Sequence, residues 1–301
     1  LVGCSLGMGE VVGSNPTRSI INLTLKNVLC VTLFMGIDVI EEHDIFWELA
    51  GEIRRSILFK LSERSMKLSQ LAKILDVSIQ EVHRNIGRLL DARLVEKDSE
   101  GFIYLTTYGK TILTQIPSFQ FLEKHRTYFE EHILGDLPMK FVQRIGALNN
   151  SELITGVVAV FERWKSMYNN ANNNIMEIMA QVPLDLIEPL VDRISNGVKF
   201  SYIFGKNTII PKGRRELLNR LGWNNFIAKG LVERRMINKV QVMVIVTDQE
   251  AGVLFPDKKG DTDINEMFYS KDKLFHEWCI DFFRYTWYAS EIFDENLLKE
   301  V

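Results

Sequence analysis

The sequence predicts an α+β protein built from two domains, and three observations lead to this prediction. Its 301 residues are enough for two hydrophobic cores. Residues 68–109 read as two short helices joined by a tight turn and followed by a two-stranded hairpin. From residue 151 onward, apolar strand-like runs alternate with amphipathic helical runs, which is typical of a sheet covered by helices.

The composition is that of a globular protein. Hydrophobic residues make up 46% of the chain, and the formal net charge is −3. A negative balance argues against a general nucleic-acid coat, since such binding depends on an excess of Lys and Arg. Any basic surface must therefore be local.

Helical periodicity and turn chemistry define the two short helices. The first carries an apolar face at Leu68, Leu71, Ala72 and Leu75. In the compact turn Asp76–Ser78, Ser78 caps the second helix and forms a capping box with Glu81. The apolar stripe of the second helix consists of Ile79, Val82, Ile86, Leu89 and Leu90. This arrangement predicts a winged helix-turn-helix, whose second helix enters the major groove of DNA.

Polar side chains around the second helix are the predicted contacts to double-stranded DNA. They can hydrogen-bond base edges or phosphates, and they are Ser78, Gln80, His83, Arg84 and Arg88. The β-prone runs Leu94–Lys97 and Phe102–Leu105 flank Gly101 as a wing, on which Lys97 would touch the DNA backbone. Residues 60–97 contain eight cations and five anions, a net charge of +3. Because this charge is modest, tight binding would require a homodimer.

Two runs in this region resemble a known family. The runs VSIQEVHRNIGRLLDARLVEK and GFIYLTTYGKTIL resemble the DNA-binding domain of ArsR-like archaeal transcriptional regulators, over roughly Asp44–Ile116. The resemblance implies that residues 35–116 form a DNA-binding domain. The family usually has Gly in the bend after the second helix, where Arg93 stands here. Arg93 would alter the bend or add a phosphate contact. The alternative is an adaptor whose winged helix holds another protein.

Residues 117–150 are predicted to form a helical linker. The helix Thr107–Ile116 ends near Pro117, and an aromatic-rich helix follows from Phe119 to Ile133. Gly135 and the nearby Pro138 break that helix. Its aromatic side chains would either make dimer contacts or pack on their own domain.

The C-terminal half is predicted to be an α/β effector-binding domain at residues 151–293, followed by a tail at 294–301. Predicted strands are Ile175–Ala180, Val198–Phe204, Val232–Ile237, Gln241–Thr247 and Gly252–Phe255. Predicted helices are Val157–Tyr168, Pro183–Asn196, Arg214–Leu221 and Lys271–Ser290. The runs VERRMINKVQVMVIVTDQEAGVLFPDKKGD and LFHEWCIDFFRYTW resemble the effector domain of archaeal methanogenesis-type regulators, over roughly Glu152–Phe293. Related sugar-sensing regulators carry a domain of phospholipase D-like fold, so the resemblance implies a phospholipase D-like sheet.

Such a domain would bind a small-molecule effector, since ligand pockets form at the carboxyl ends of strands. The candidate residues lie at predicted strand ends, within a strand or in a loop: Tyr202, Lys206, Trp223, Asn225, Arg235 and Asp248. Ordinary alternatives are core packing for Trp223, a salt bridge for Arg235 and turn formation for Asp248. Ligand binding would control DNA affinity by changing the spacing of the two winged helices in a dimer.

The absence of the catalytic motifs we searched for argues against an enzyme. The phospholipase D motif is His-x-Lys-x4-Asp, and none of the five histidines has Lys two residues later. The sequence contains no P-loop and no His-Glu-x-x-His motif. We therefore predict no catalytic residue, no metal and no cofactor, with a divergent hydrolase as a further alternative.

The first 34 residues and the cysteines complete the prediction. Leu1–Phe34 fits neither domain, and its apolar part is too short to span a membrane. Codons for Gly13–Pro16 can spell the T arm of a transfer-RNA gene. We therefore expect that Leu1–Phe34 is translated upstream sequence and that Met35 is the true start. We expect this segment to be poorly packed and not functional. Three scattered cysteines without zinc-finger spacing, Cys4, Cys30 and Cys279, indicate a reducing, cytoplasmic compartment.

Overall fold

The computed structural model describes residues 44–181 and 183–300. The predicted extension Leu1–Phe34 and the predicted start Met35 lie outside the described residues. The chain divides into two compact units, with the boundary between Lys110 and Thr111. Within the described ranges, no helix has both the length and the hydropathy needed to cross a bilayer.

The first unit is a winged helix. Its helices are α1 (Ile45–Ala50), α2 (Glu52–Glu63), α3 (Leu68–Leu75), α4 (Ile79–Asp91) and the start of α5 (Thr107–Leu113). Its strands are β1 (Met66–Lys67), β2 (Val95–Lys97) and β3 (Phe102–Leu105), and over residues 66–105 they form an antiparallel sheet in the order β1-β3-β2. Its buried core includes Ile57, Leu58, Leu71, Val82, Ile86, Leu89, Leu94 and Ile103. The two-residue β1 was missed because it is too short to show an alternating pattern.

Both ends of α4 are set by local hydrogen bonds. At the start, the backbone N–H of Glu81 donates to Ser78 Oγ at 3.1 Å, as predicted for the cap. At the end, Leu94 N–H donates to the Leu89 carbonyl at 2.9 Å. Arg93 takes the left-handed conformation between them, with φ of 57°. This is the Schellman termination, in which Gly is the usual residue at the position that Arg93 occupies here.

The second unit contains most of the sheet structure. Its helices after α5 are α6 (Ile116–Lys124), α7 (Arg126–Glu131), α8 (Met139–Val142), α9 (Val157–Asn170), α10 (Ile187–Ser195), α11 (Arg214–Arg220), α12 (Trp223–Ala228) and α13 (Lys273–Ala289). Its strands are β4 (Glu152–Thr155), β5 (Asn174–Gln181), β6 (Lys199–Ile210), β7 (Val232–Ile237), β8 (Met243–Thr247), β9 (Ala251–Leu254), β10 (Glu266–Ser270), β11 (Glu291–Ile292) and β12 (Lys299–Glu300). Short 3-10 helices occupy Ile145–Leu148, Leu184–Leu186 and Glu295–Leu297.

In the described part of this unit, the strands form one nine-stranded mixed sheet. The order is β11-β7-β6-β5-β8-β9-β10-β4, and β12 pairs with the end of β6. Strands β5, β6 and β7 run parallel, whereas β8, β9, β10 and β4 form an antiparallel half. The predicted α+β class is confirmed, with a helical N-terminal region and a large C-terminal sheet. Its phospholipase D-like character stays a prediction.

Helices cover both faces of the sheet, as neighbouring residues of β5 show. Glu177 accepts a hydrogen bond from Trp164 of α9. Ile178, the next residue, lines a cavity with Phe282 of α13. Because successive side chains in a strand point to opposite faces, α9 and α13 lie on opposite sides of the sheet.

The aromatic segment after α5 is two helices rather than the one predicted, with the break at His125. Its buried rings pack on their own unit. The Phe121 and Tyr128 rings lie 5.3 and 4.8 Å from the ring of Phe268 in β10. Phe119, by contrast, is 62% exposed. Packing on the domain therefore accounts for the buried rings, and a dimer contact remains a proposal for Phe119.

Candidate nucleic-acid interface and ligand cavity

The two faces of α4 differ in polarity and burial. Val82, Ile86 and Leu89 are buried in the core of the first unit. Four of the predicted DNA-binding residues lie exposed at the start and on the opposite face of the helix: Ser78, Gln80, His83 and Arg84. The structure thus brings these four together on one accessible surface.

Two further residues belong to this surface, and the sequence prediction missed both. Ile79 was assigned to the apolar stripe, but it is the first residue of α4 and its side chain is 59% exposed. Gly87 lies on the exposed face between His83 and Arg84 on one side and Asp91 on the other. A Cβ at Gly87 would have no heavy atom of the described chain within 4 Å. The signal available in the sequence was a glycine in the middle of a helix, where it lowers helix stability.

Arg88 has a different environment from the one predicted. Its guanidinium binds the Glu48 carboxylate through Nε at 3.1 Å and Nη2 at 2.6 Å. Glu48 is only 4% exposed and also pairs with Arg54 Nε at 2.9 Å. The bidentate pair ties α4 to α1, although the Arg88 side chain remains 40% exposed. Direct contact of Arg88 with DNA stays a prediction.

The wing is acidic. Lys97 is exposed, but three carboxylates surround it in the hairpin, at Glu96, Asp98 and Glu100. Asp98 accepts the backbone N–H groups of Glu100 and Phe102, which shapes the turn. The hydrogen bond from Tyr104 to Glu96 raises the pKa of the Tyr104 phenol. Lys97 alone therefore supplies little attraction for phosphate.

Of the six predicted effector residues, the structure brings Tyr202 and Trp223 together. Both line a cavity over the parallel half of the sheet. Tyr202 lies within β6 rather than at its end, because that strand continues to Ile210. Trp223 begins α12 rather than lying in a loop.

The other four predicted residues lie away from this cavity. Lys206 Nζ pairs with Glu291 at 2.9 Å, and Asn225 is exposed on α12. The Arg235 guanidinium lies 5.5 Å from the centre of the Trp287 ring. The Asp248 carboxylate accepts backbone N–H groups of residues 172–174, which is the turn-forming role considered as its alternative. Lys206, Arg235 and Asp248 each have a structural contact, so none of the three gives evidence for a ligand.

The cavity is mostly aromatic and aliphatic, with a volume of about 20 Å3, which is room for about one water molecule. A larger ligand would have to move its walls apart. Its walls come from α9, β6 and the helices α10 to α12, and include Trp164, Tyr168, Leu190, Phe200, Tyr202, Phe204 and Trp223. Arg214 is the charged residue in the lining and is 5% exposed. Its Nε has no hydrogen-bond partner in the described part of the chain. Burial lowers the pKa of Arg214, while Tyr202 opposes that shift. A buried cation with an unused donor is a feature that an acidic ligand would satisfy.

Comparison with known proteins agrees with the N-terminal part of this description. Residues 48–119 match the family described as "Methanogenesis regulatory protein FilR1, N-terminal domain". A search of curated proteins found no match.

Several solved structures are similar at low identity. TrmBL2, described as an archaeal chromatin protein with a novel mode of DNA binding, shares 14% identity over 85% of this chain and 98% of its own, with a TM-score of 0.39. NucT from Helicobacter pylori shares 8% identity over 48% of this chain and 99% of its own, with a TM-score of 0.37. Nuc from Salmonella typhimurium, a phospholipase D family member, shares 16% identity over 48% of this chain and 100% of its own, with a TM-score of 0.34. We draw no functional argument from TM-scores this low. The family match makes the winged-helix segment similar to the N-terminal domain of a methanogenesis regulatory protein, whereas the ArsR-like and phospholipase D-like descriptions stay predictions.

Proposed function

We propose that this protein is a DNA-binding transcriptional regulator that reads double-stranded DNA with the exposed face of α4. The observation that supports this most is the exposed surface formed by Ser78, Gln80, His83 and Arg84. The match of residues 48–119 to a domain of a regulatory protein agrees with it.

Each side chain of the surface has a role in this proposal. Gln80 and Arg84 have the donors and acceptors that pair with adenine and guanine edges in the major groove. Exposed Ile79 is suited to contact a thymine methyl group. Ser78 lies at the start of α4, where backbone N–H groups favour phosphate. Arg88 has a positioning role instead, because it binds Glu48.

We propose a homodimer, because the local charge is too small for tight binding by one copy. The net charge of residues 60–97 is +3, and the wing adds little attraction. Two winged helices on a palindromic site would double both the phosphate contacts and the base contacts.

We further propose that a small effector in the cavity of the second unit controls DNA affinity. The cavity walls favour an apolar or aromatic body, and the Arg214 guanidinium favours an acidic group on it. Binding would then follow the usual pattern of an apolar pocket with one charged anchor. Thermal shift with simple aromatic carboxylic acids, compared between the parent and Arg214→Met, tests this part.

An electrophoretic mobility shift assay with genomic fragments tests the regulator. We expect saturable binding that resists nonspecific competitor, and a loss of at least about tenfold in affinity for Arg84→Ala. Arg126→Ala is the matched control, since Arg126 is an exposed arginine of the second unit paired with Glu123. Absence of saturable binding by the parent would contradict the proposal.

The adaptor remains the second candidate, and the acidic wing favours it. A protein partner would be captured through the same α4 surface, and Arg84→Ala would then weaken that complex while DNA binding is absent in the parent.

A further inference from the structure

A histidine and two carboxylates meet where α7 ends beside the antiparallel half of the sheet. His132 Nε2 lies 3.1 Å from an oxygen of Asp263 and 3.7 Å from an oxygen of Glu266. All three ligand-type atoms lie within 4.8 Å of one another. His132 is held there by its backbone, which bridges to Asp257, and by Ile133 N–H, which donates to the Pro256 carbonyl.

The hydrogen bond of His132 Nδ1 decides which nitrogen of the neutral ring carries the proton. Nδ1 lies 3.0 Å from the Tyr128 carbonyl oxygen, which can only accept, so Nδ1 carries a proton. In the neutral ring, Nε2 then presents a lone pair toward the two carboxylates. Electron-rich atoms at 3.1 Å repel unless a proton on Nε2 or a metal ion lies between them. A backbone carbonyl that orients the far nitrogen is also the usual arrangement of a metal-binding histidine.

Tyr128 supplies an independent sign of a missing ligand. Its ring stacks on His132 with centroids 3.9 Å apart and planes within 2°. The side chain is 6% exposed, yet its hydroxyl has no hydrogen-bond partner in residues 44–181 and 183–300.

We propose that His132, Asp263 and Glu266 bind a divalent transition-metal ion of the Zn2+ or Mn2+ class. Nitrogen and oxygen ligands lie about 2.0–2.2 Å from such an ion, which places ligand atoms roughly 3–4 Å apart. The distances from His132 Nε2 to the two carboxylates, 3.1 and 3.7 Å, fall in this range. One imidazole with two carboxylates suits these ions better than Ca2+ or Mg2+, which bind oxygen ligands. A water in the remaining position would accept a bond from the Tyr128 hydroxyl.

The carboxylates are also accessible and preoriented. The side chains of Asp263 and Glu266 are 21% and 22% exposed, so an ion can enter from their side, while His132 closes the buried side. Asn265 donates backbone and side-chain N–H groups to the second oxygen of Asp263. The sequence predicted no metal, because His132 and Asp263 are 131 positions apart. The ion would link the end of α7 to the segment before β10, independently of DNA binding.

Metal analysis of the full chain tests this site without any assay of DNA binding. After chelator treatment and dialysis against Zn2+ or Mn2+, we expect about one bound equivalent and a rise in Tm, with no rise in Ca2+. Asp263→Asn and Glu266→Gln should each weaken binding at least about tenfold. Asp261→Asn is the control, since this carboxylate of the same loop pairs with Lys239.

Two outcomes would overturn the site. One is failure of the parent to take up either ion in stoichiometric amount. The other is unchanged uptake in both carboxylate variants. His132→Gln adds a third comparison, and if that variant does not fold, the two partly exposed carboxylates still decide the result.

Discussion

The indole N–H of Trp164 donates a 2.7 Å hydrogen bond to the Glu177 carboxylate, at a place where neither side chain reaches water. The second carboxylate oxygen has no partner among the residues described. Burial raises the pKa of Glu177 to about 7, although hydrogen bonding by Tyr168 and Trp164 opposes the rise. Both Trp164 and Tyr168 line the cavity, so this carboxyl group lies directly behind its wall.

Glu177 should make stability depend on pH. Its pKa is about 7 in the folded state and near 4.5 when the chain is unfolded, so the folded state retains a proton that the unfolded state releases. The contribution is complete below about pH 4.5 and is lost as pH rises toward 7. The loss is about 3 kcal/mol above pH 7, by linkage.

Urea unfolding of the parent and of Glu177→Gln, each at pH 5 and pH 8, checks this expectation. The variant should lose much less stability between the two pH values, because its amide does not ionise. Parallel pH profiles for the two proteins would show that Glu177 is not responsible.

Gly87→Ala should stabilise the protein and weaken DNA binding at the same time. Alanine is favoured over glycine inside a helix by about 1 kcal/mol, and the added Cβ meets open space. If the α4 surface lies against DNA, the same methyl group enters the contact. Thermal unfolding and DNA titration of one preparation measure both effects. A gain in stability with unchanged DNA affinity would place Gly87 outside the interface.

Glu48→Ala and Arg88→Ala should affect stability rather than base recognition. Removing Glu48 leaves Arg54 and Arg88 without their carboxylate, which we expect to cost about 3 kcal/mol of unfolding free energy. Arg88→Ala should cost less, since Arg54 still neutralises Glu48. Chemical unfolding gives both values, and a DNA titration with mismatched operators is the comparison. Loss of base preference in a fully stable Arg88→Ala protein would restore Arg88 as a direct DNA contact.

Gly109→Ala should destabilise the winged helix. A Cβ at this position would lie 2.0 Å from the Leu94 carbonyl oxygen, a backbone atom that cannot rotate away. Thr106 N–H also bonds to that carbonyl, which ties the start of α5 to the strand region of the wing. We expect a loss of about 2 kcal/mol or more from overpacking. Calorimetry checks this, with Gly87→Ala as the control, since Gly87 has open surroundings and no positive φ.

The winged helix was predictable because its signals are local. The Ser78 cap, the apolar stripe of α4 and the bend at Arg93 each depend on residues within two helical turns. Ile79 shows the limit of the same reasoning. Periodicity assigned it to the core, but packing ends just inside the helix start, so its side chain remains exposed.

The C-terminal sheet was predictable in part. Most of its strands have apolar runs that can be read one at a time, whereas β4, β10, β11 and β12 were missed. These four strands are short, and β4 and β10 pair across a long separation, as in the register of Thr155 with Glu266. Long-range pairing of this kind leaves no periodic signal in either segment.

The sequence by itself determined most of the longer helices and strands and their order, the position of the tight turn and the helix that offers a polar face. These features depend on neighbours along the chain. Only the tertiary structure decided that Arg88 binds Glu48, that Glu177 is buried beneath Trp164 and that His132 meets Asp263. Such partners are set by the packing of distant segments, because burial and side-chain direction depend on which strands and helices lie side by side.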